Sequence, residues 1–483
     1  MVKTESVDQD VWEIPRSGKM NVPGRVWANK ALMDALQEEA GEKPEWNALN
    51  QIQNVAMLPG IQKYSLALPD VHCGYGAAVG SVGAFGWEEG VIAFGLIGFD
   101  INCGLQTLAT PFTEAEVLPK KKELADALYK TIPAGLGSSG KIKLSLDQVD
   151  EVLEKGARFA LENGYGLKED LHFLEESGRM QNADASLVSV DAKERLKSQL
   201  GTLGSGNHYL EVQVVERVFD EKSARALGLF EGQILVSIHC GSRGLGHQVG
   251  ADSLEALDKA TKKYNLFVPD RELVCAPIQS EEGQNYLKAV NAATNCAFAN
   301  REVLAHLTRG AFERVMGIKE KEVCTLYGVG HNTAKVEKHK VDSKTRKLLV
   351  QRKGSTRGFG PGSRDVPEKY ARVGQPVIVG GTMGTHSYVL TGTEKAMKET
   401  FGSALHGAGR TLSRVKALRT WNGESVVQDL ARKGILVRGH GLKGIAEEAP
   451  GAYKDIDEVV DVVARAGLCK KVVRVKPWIV VKG

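Results

Sequence analysis

Apolar and polar positions follow two rhythms along this chain. From Asp147 to Asn163, Val149, Val152, Leu153, Gly156 and Ala160 recur at helical spacing and predict one amphipathic helix. Asp147 stands at its expected N-cap and Asn163-Gly164 at its expected stop. A second helical pattern runs from about Gly283 to Arg309. Short β-rich runs occur at Tyr209–Val218, Ile234–Ile238, Val377–Val379, Tyr388–Leu390, Val472–Val475 and Trp478–Val481. The expected class is mixed α/β (α+β), with sheets flanked by helices. The apolar run Val91–Phe99 is far shorter than the ~20 residues of a membrane-spanning helix.

Composition sharpens this picture in three places. The 483 residues include 54 glycines, where average usage gives about 34. No collagen-like or low-complexity period accounts for the surplus, so backbone that turns sharply or approaches a ligand closely is expected. Seven cysteines without a CxxC, the nearest two (Cys275 and Cys296) 21 positions apart, give no disulfide framework. The opening MVKTESVDQDVWEIP carries acids and no apolar run, so the cytoplasm is the expected compartment. The net charge of +4 argues against a basic coat protein for nucleic acid. Charge is uneven, however. The stretches Lys335–Arg372, Arg410–Arg419 and Arg465–Lys482 carry net +8, +4 and +6, which suggests a local polyanion-binding face.

Candidate chemistry sits in glycine-bearing motifs. GFDINCG offers Asp100 and Cys103, a carboxylate and a thiolate one turn apart. GSGNHYLE, SIHCGSRGLGH and GVGHN add His208, His239 and His331. Five mixed O, S and N donors exceed a closed tetrahedral site and suffice for two ions, with zinc and manganese both compatible. His406 lies in HGAGR, where glycine amides and Arg410 suit phosphate and a neutral imidazole can attack phosphorus. A further metal ligand and a plain phosphate contact are the other readings of His406. Gly135–Lys141 matches a P-loop except that Ile142 replaces the metal-binding hydroxyl, and no KxDG lysine motif is present.

The longer motifs carry a resemblance. VWEIP, NVAMLPGI, PDVHCGYG, GFDINCG, LGSGNHYLEVQVV, GSRGLGHQV, QSEEGQ, GTMGTHSYVLTGTEKAMKETFGS, HGAGRTLSR, EEAPGAYKD and the terminal VVKG occur in this order almost end to end. The sequence resembles the RtcB family of GTP-dependent ligases, which join RNA 3′-phosphate or 2′,3′-cyclic phosphate ends to 5′-hydroxyl ends. The resemblance implies one catalytic domain over residues 1–483, acting in tRNA splicing and RNA repair. It implies two Mn2+ ions held by Asp100, Cys103, His208, His239 and His331, with Cys103 bridging, and a guanylylated His406. GTP contacts are implied for Asn207, Glu211, Asn332, Gly380, Gly381, Thr382, Met383, Ser387, Gly407, Ala408, Gly409, Tyr453 and Lys482. RNA contacts are implied for Asp70, His72, Arg243, Arg352 and Arg410, and an archease-type protein as an activating partner.

Phe94, Leu96, Thr382 and His386 depart from the family pattern, and Phe94 and Leu96 precede the metal loop. Cys240 reads as a small buried residue, and His172, His306 and His339 as surface residues. The alternative function is a metal-dependent cyclic phosphodiesterase that does not ligate.

Overall fold

The computed structural model describes residues 2–439 and 441–483. Its class is mixed α/β, as the two rhythms predict. Two sheets dominate. The eight-stranded sheet runs in the order Cys324–Gly330, Gly104–Thr113, Gln233–Cys240, Tyr209–Val218, Cys469–Lys482, Ser387–Gly392 and Pro376–Val379. Leu436–Gly439 pairs in parallel with its long strand Cys469–Lys482. The seven-stranded sheet runs Glu5–Asp8, Val11–Ile14, Gly24–Trp27, Ile61–His72, Val79–Gly86, Lys344–Lys353 and Asn332–Val341. His331 alone separates Cys324–Gly330 of the first sheet from Asn332–Val341 of the second.

The helical readings need correction at their ends. Residues 147–163 form two helices, Leu146–Lys155 and Ala157–Glu162, broken at Gly156. Gly156 has φ +59°, and a Cβ there would lie 2.3 Å from the Gly178 carbonyl oxygen, so chain direction changes where only glycine fits. The N-cap is Ser145, not Asp147. Its hydroxyl accepts from Gln148 N (3.2 Å) and the Gln148 side chain accepts from Ser145 N (3.0 Å), a reciprocal capping box. The second helix extends over Glu281–Met316, capped by Ser280 and stopped at left-handed Gly317. It packs against helices Lys121–Thr131, Leu146–Lys155, Ala157–Glu162 and Arg243–Lys263 and against strand Gln233–Cys240. Burial on nearly every side explains why its apolar stripe has no clear polar boundary. The two C-terminal β runs are one strand, Cys469–Lys482, whose register shifts at Pro477, where an N–H is missing. Among the described residues no helix is long and apolar enough to cross a membrane.

The basic stretches divide: Lys335, Arg352, Lys353, Arg357 and Lys482 are buried, whereas most of the others, Lys338, Lys340, Lys344, Lys347, Arg414 and Lys416 among them, are exposed. Lys335 pairs with Glu175 (2.6 Å), and Arg357 with Glu175 (3.1 Å) and Glu176 (2.6 Å). Arg465, Lys471, Arg474 and Lys476 pair with Asp10, Asp461, Glu216 and Glu114. Arg352 is not an RNA contact. It is fully buried, and its guanidinium grips Glu337 (2.6 and 3.0 Å) and donates to Ser403 Oγ and the Phe401 carbonyl. His339 is likewise buried, 2.7 Å from Glu337, and not a surface residue. His172 is exposed and His306 partly buried beside Glu320.

Truncating one partner of a buried pair leaves the other charge unpaired. Arg352→Ala is therefore expected to lower unfolding stability by about 3–5 kcal/mol, read as a lowered denaturation midpoint. An unchanged midpoint with weakened RNA binding would restore Arg352 as an RNA contact.

Candidate active site

Antiparallel pairing gathers the chemistry at one edge of the eight-stranded sheet. Gly104 pairs with both Cys240 and Gly330, and Tyr209 pairs with both His239 and Lys482. The start of one strand therefore lies beside the end of the next. Asp100 and Cys103 precede Gly104, His208 precedes Tyr209, His239 and Lys482 lie at strand ends, and His331 follows Gly330.

The five expected donors converge. Cys103 Sγ lies 3.3 Å from both His208 Nε2 and His239 Nε2. His208 Nε2 is 2.9 Å from Asp100 Oδ2, and His239 Nε2 is 3.2 Å from His331 Nε2. Two ligand groups result, Asp100/Cys103/His208 and Cys103/His239/His331, each with donor atoms within 4.8 Å of one another. Cys103 belongs to both. The Nδ1 atoms of His208 and His331 are buried without a hydrogen-bond partner, so neither ring is oriented by a second acceptor.

Electrostatics suit cations here. Burial, reinforced by neighbouring imidazoles, holds His239 and His331 well below the ordinary histidine pKa, so both are neutral donors. Burial, then Asp100, pushes the Cys103 thiol well above its usual range. Burial also opposes charge on Asp100, but the attraction of His208 and hydrogen bonds from His208 and Cys103 outweigh it and keep the carboxyl low. Divalent ions favour the thiolate and would reverse the Cys103 penalty. The donor set thus fits two divalent ions sharing one thiolate.

The metal loop is held by backbone and by buried side chains. His331 N donates to the Cys103 carbonyl (2.8 Å), and Ser355 N donates to the His331 carbonyl (3.0 Å). Asn332 Nδ2 donates to the Asp100 carbonyl (2.9 Å), and its Oδ1 accepts from Gly354 N (2.8 Å). Arg301, from the long helix, donates to the carbonyls of Asn102 (2.8 Å) and Cys240 (2.9 Å). Asn102 is left-handed (φ +53°), and a Cβ at Gly330 would meet its Oδ1 at 1.7 Å. Cys240 is buried and accepts from Asn300, as a small interior residue should. Phe94 and Leu96 lie in apolar packing behind the loop, with Phe94 edge-on to Tyr75 and Phe99.

His406 follows strand Ser403–Leu405, and its ring centroid lies 4.7 Å from that of His331. Its Nδ1 is 2.6 Å from Asp70 Oδ2, and the same oxygen accepts from the backbone N of His406 (2.9 Å) and Gly407 (3.4 Å). Burial would raise the Asp70 pKa, but His406 and the backbone donors keep it lowered. Asp70 is fully buried, which corrects its reading as an RNA contact: it orients His406. At Gly409 (φ +75°) a Cβ would lie 2.1 Å from the Asp70 carbonyl oxygen.

The remaining expected residues border this centre. Gly380 N donates to the His406 carbonyl, and Gly380 bridges Gly407. Gly381 N donates to Ser387 Oγ (2.9 Å), Thr382 N donates to Thr385 Oγ1, and Met383 and Ala408 are buried. Lys482 is buried with Nζ 3.4 Å from the His208 carbonyl, and Asn207 is partly exposed in the turn before His208. Glu211 is buried and accepts from Gln213 (2.6 Å). Burial lifts its carboxyl to about 8 against the lowering effect of Gln213 and Lys482. Tyr453 and Arg410 both meet Glu448, so Arg410 is engaged within the protein. His72 donates from Nδ1 to the Asp70 carbonyl (3.0 Å), and Arg243 donates to Thr202 Oγ1 (3.0 Å). His386 turns to Glu216 and Asp457, away from the role of its neighbour Ser387. Arg301 and Glu448 escape sequence reasoning. The one signal for Arg301 is an arginine on the alanine-rich stretch of the long helix.

Comparison with known proteins agrees with this geometry. The sequence model of the RtcB family, described as tRNA-splicing ligase RtcB, matches residues 51–483. Three relatives carry the name tRNA-splicing ligase RtcB. That of Thermococcus kodakarensis is 51% identical, over 100% of this chain and 99% of its own. That of Archaeoglobus fulgidus is 51% identical, over 98% and 97%. That of Aeropyrum pernix is 47% identical, over 100% of both. With the family match spanning most of the chain and relatives matching end to end, the chain belongs to the RtcB family.

Proposed function

We propose that this chain is a cytoplasmic, GTP- and Mn2+-dependent RNA ligase, with residues 1–483 as one catalytic unit. It joins RNA 3′-phosphate or 2′,3′-cyclic phosphate ends to 5′-hydroxyl ends, in tRNA splicing and RNA repair. The observation that carries this reading is the Asp70–His406 pair placed against the five-donor cluster. A phosphodiesterase alone has no use for His406 as a nucleotide carrier or for Lys482 at a guanine.

When bound, two divalent ions would neutralise phosphate oxygens and stabilise charge on the entering and leaving oxygens. The protein's own groups do the rest. The Asp70 carboxylate accepts the Nδ1 proton of His406, which fixes the tautomer and leaves the Nε2 lone pair free. Nε2 attacks the α-phosphorus of GTP; an N–P bond forms, the bond to pyrophosphate breaks, and Asp70 stabilises the imidazolium. An oxygen of the RNA 3′-phosphate then attacks that phosphorus, and the N–P electron pair returns to His406. The 5′-hydroxyl attacks the activated RNA phosphorus and GMP departs. Lys482, Glu211 and Ser387, with the backbone of Gly380, Gly381, Gly407 and Gly409, form the GTP site in this reading.

Incubation with labelled GTP and Mn2+ is expected to label the protein covalently, and His406→Ala is expected to take up no label. Persistent labelling of that variant would remove His406 as the carrier. Asp70→Asn keeps the shape but loses the acceptor charge, so its labelling rate should fall by about 10²-fold or more. An unchanged rate would reduce Asp70 to a packing residue. Cys103→Ser should lower bound Mn2+ below two ions per chain in equilibrium dialysis. Full retention of both would show that the thiolate does not bridge.

A further inference from the structure

A surface that meets polyanions combines exposed cations with a local lack of acids. Three segments near the candidate active site, 127–146, 195–210 and 232–251, contain six Lys or Arg and no Asp or Glu. They are far apart in sequence but joined in the structure. Leu203 N donates to the Pro133 carbonyl (2.8 Å), Gly135 N to Gly204 (2.8 Å), Gly140 N to Ser198 (2.6 Å) and Leu144 N to Lys197 (2.9 Å). Gly244 N donates to Gln199 Oε1 (2.9 Å), and Arg243 reaches Thr202 from the third segment. The second and third segments contain His208 and His239, so the strip ends at the metal ligands.

Three of its cations are free of ion pairs. Lys141, Lys143 and Arg195 are exposed, and none has an acidic partner among the described residues. Leu136, between the left-handed glycines 135 and 137, is 93% exposed, an apolar tip of the kind an unstacked base accepts. Glu194 pairs with Lys197 (3.1 Å) at the border of the strip, and the three segments themselves carry no carboxylate, so a phosphate backbone along them meets little like-charge repulsion.

We propose that this strip is the track along which the RNA phosphate backbone approaches the active site, with Lys141, Lys143 and Arg195 as phosphate contacts. The proposal rests on the RNA-ligase reading above and adds to it the surface that holds the substrate.

The test compares the full-length wild-type chain with the triple variant K141E/K143E/R195E. Binding of a 3′-phosphorylated single-stranded RNA is followed by fluorescence anisotropy over a salt series, and labelling with GTP in the absence of RNA is measured in parallel. The variant is expected to bind RNA at least about tenfold more weakly. Its plot of log affinity against log salt should be shallower by about 2, because each single-strand phosphate contact contributes roughly 0.7. Its labelling by GTP should match wild type, which also reports an intact fold. Unchanged RNA affinity and slope in a variant that labels normally would overturn the track and assign the strip to a partner other than RNA. Loss of GTP labelling in a variant whose denaturation midpoint matches wild type would also overturn it, by placing these residues in the nucleotide step. Failure of the wild-type chain to label or ligate would instead overturn the functional reading, so the two failures are distinguishable.

Discussion

A single residue, His331, spans the step from the eight-stranded sheet to the seven-stranded one, and the geometry of the site depends on that step. Its backbone is bonded on one side to Cys103 and on the other to Ser355, and its ring meets His239 on one side and His406 on the other. The five candidate donors come from the ends of the first sheet's strands, whereas Asp70, which holds His406, lies on Ile61–His72 of the second. His406 and the five-donor cluster are therefore in register only when both sheets are docked through this junction. A one-residue slip in Gly104–Thr113 or Gln233–Cys240 would turn their side chains to the opposite face and disperse the ligands.

Preorganisation of the centre is expensive and is met from the interior of the fold. Burial disfavours charge on Cys103, His239 and His331, so two neutral imidazoles and a protonated thiol lie near one another, a balance that bound cations would reverse. The backbone that carries these donors is fixed by interior polar groups. Arg301 and Asn332 take up carbonyls beside Cys103, Cys240 and Asp100, and the long helix that supplies Arg301 is buried along most of its length. The glycine surplus follows in part from the same crowding. Gly241 and Gly330 lie where a Cβ would collide with Asp100 and Asn102 side chains.

Much of this was legible in the sequence. The strand Tyr209–Val218 has the bounds its apolar run predicts, and all five donors occupy short glycine-bearing motifs that mark strand ends. What escaped was long-range or conformational. Asp70 and His406 are 336 positions apart, and no local pattern links a carboxylate in PDVH to an imidazole in HGAGR. Gly156 counts as a small residue on an apolar face, yet its positive φ ends the helix. Charge was the most misleading signal. Arg352 and Lys335 sit in the most basic stretch, but their acidic partners are Glu337 on the neighbouring strand and Glu175 far upstream. At these two positions local net charge reflects interior pairing and not surface potential.

The central claim is that two divalent ions share the Cys103 thiolate within reach of an oriented His406. Anomalous diffraction at the manganese edge, from crystals grown with Mn2+ and GTP, tests it most directly. The account predicts two anomalous peaks that share Cys103 Sγ as a ligand, one bounded by Asp100 and His208 and the other by His239 and His331. A single peak, or two peaks of which either lies away from Cys103, would contradict it.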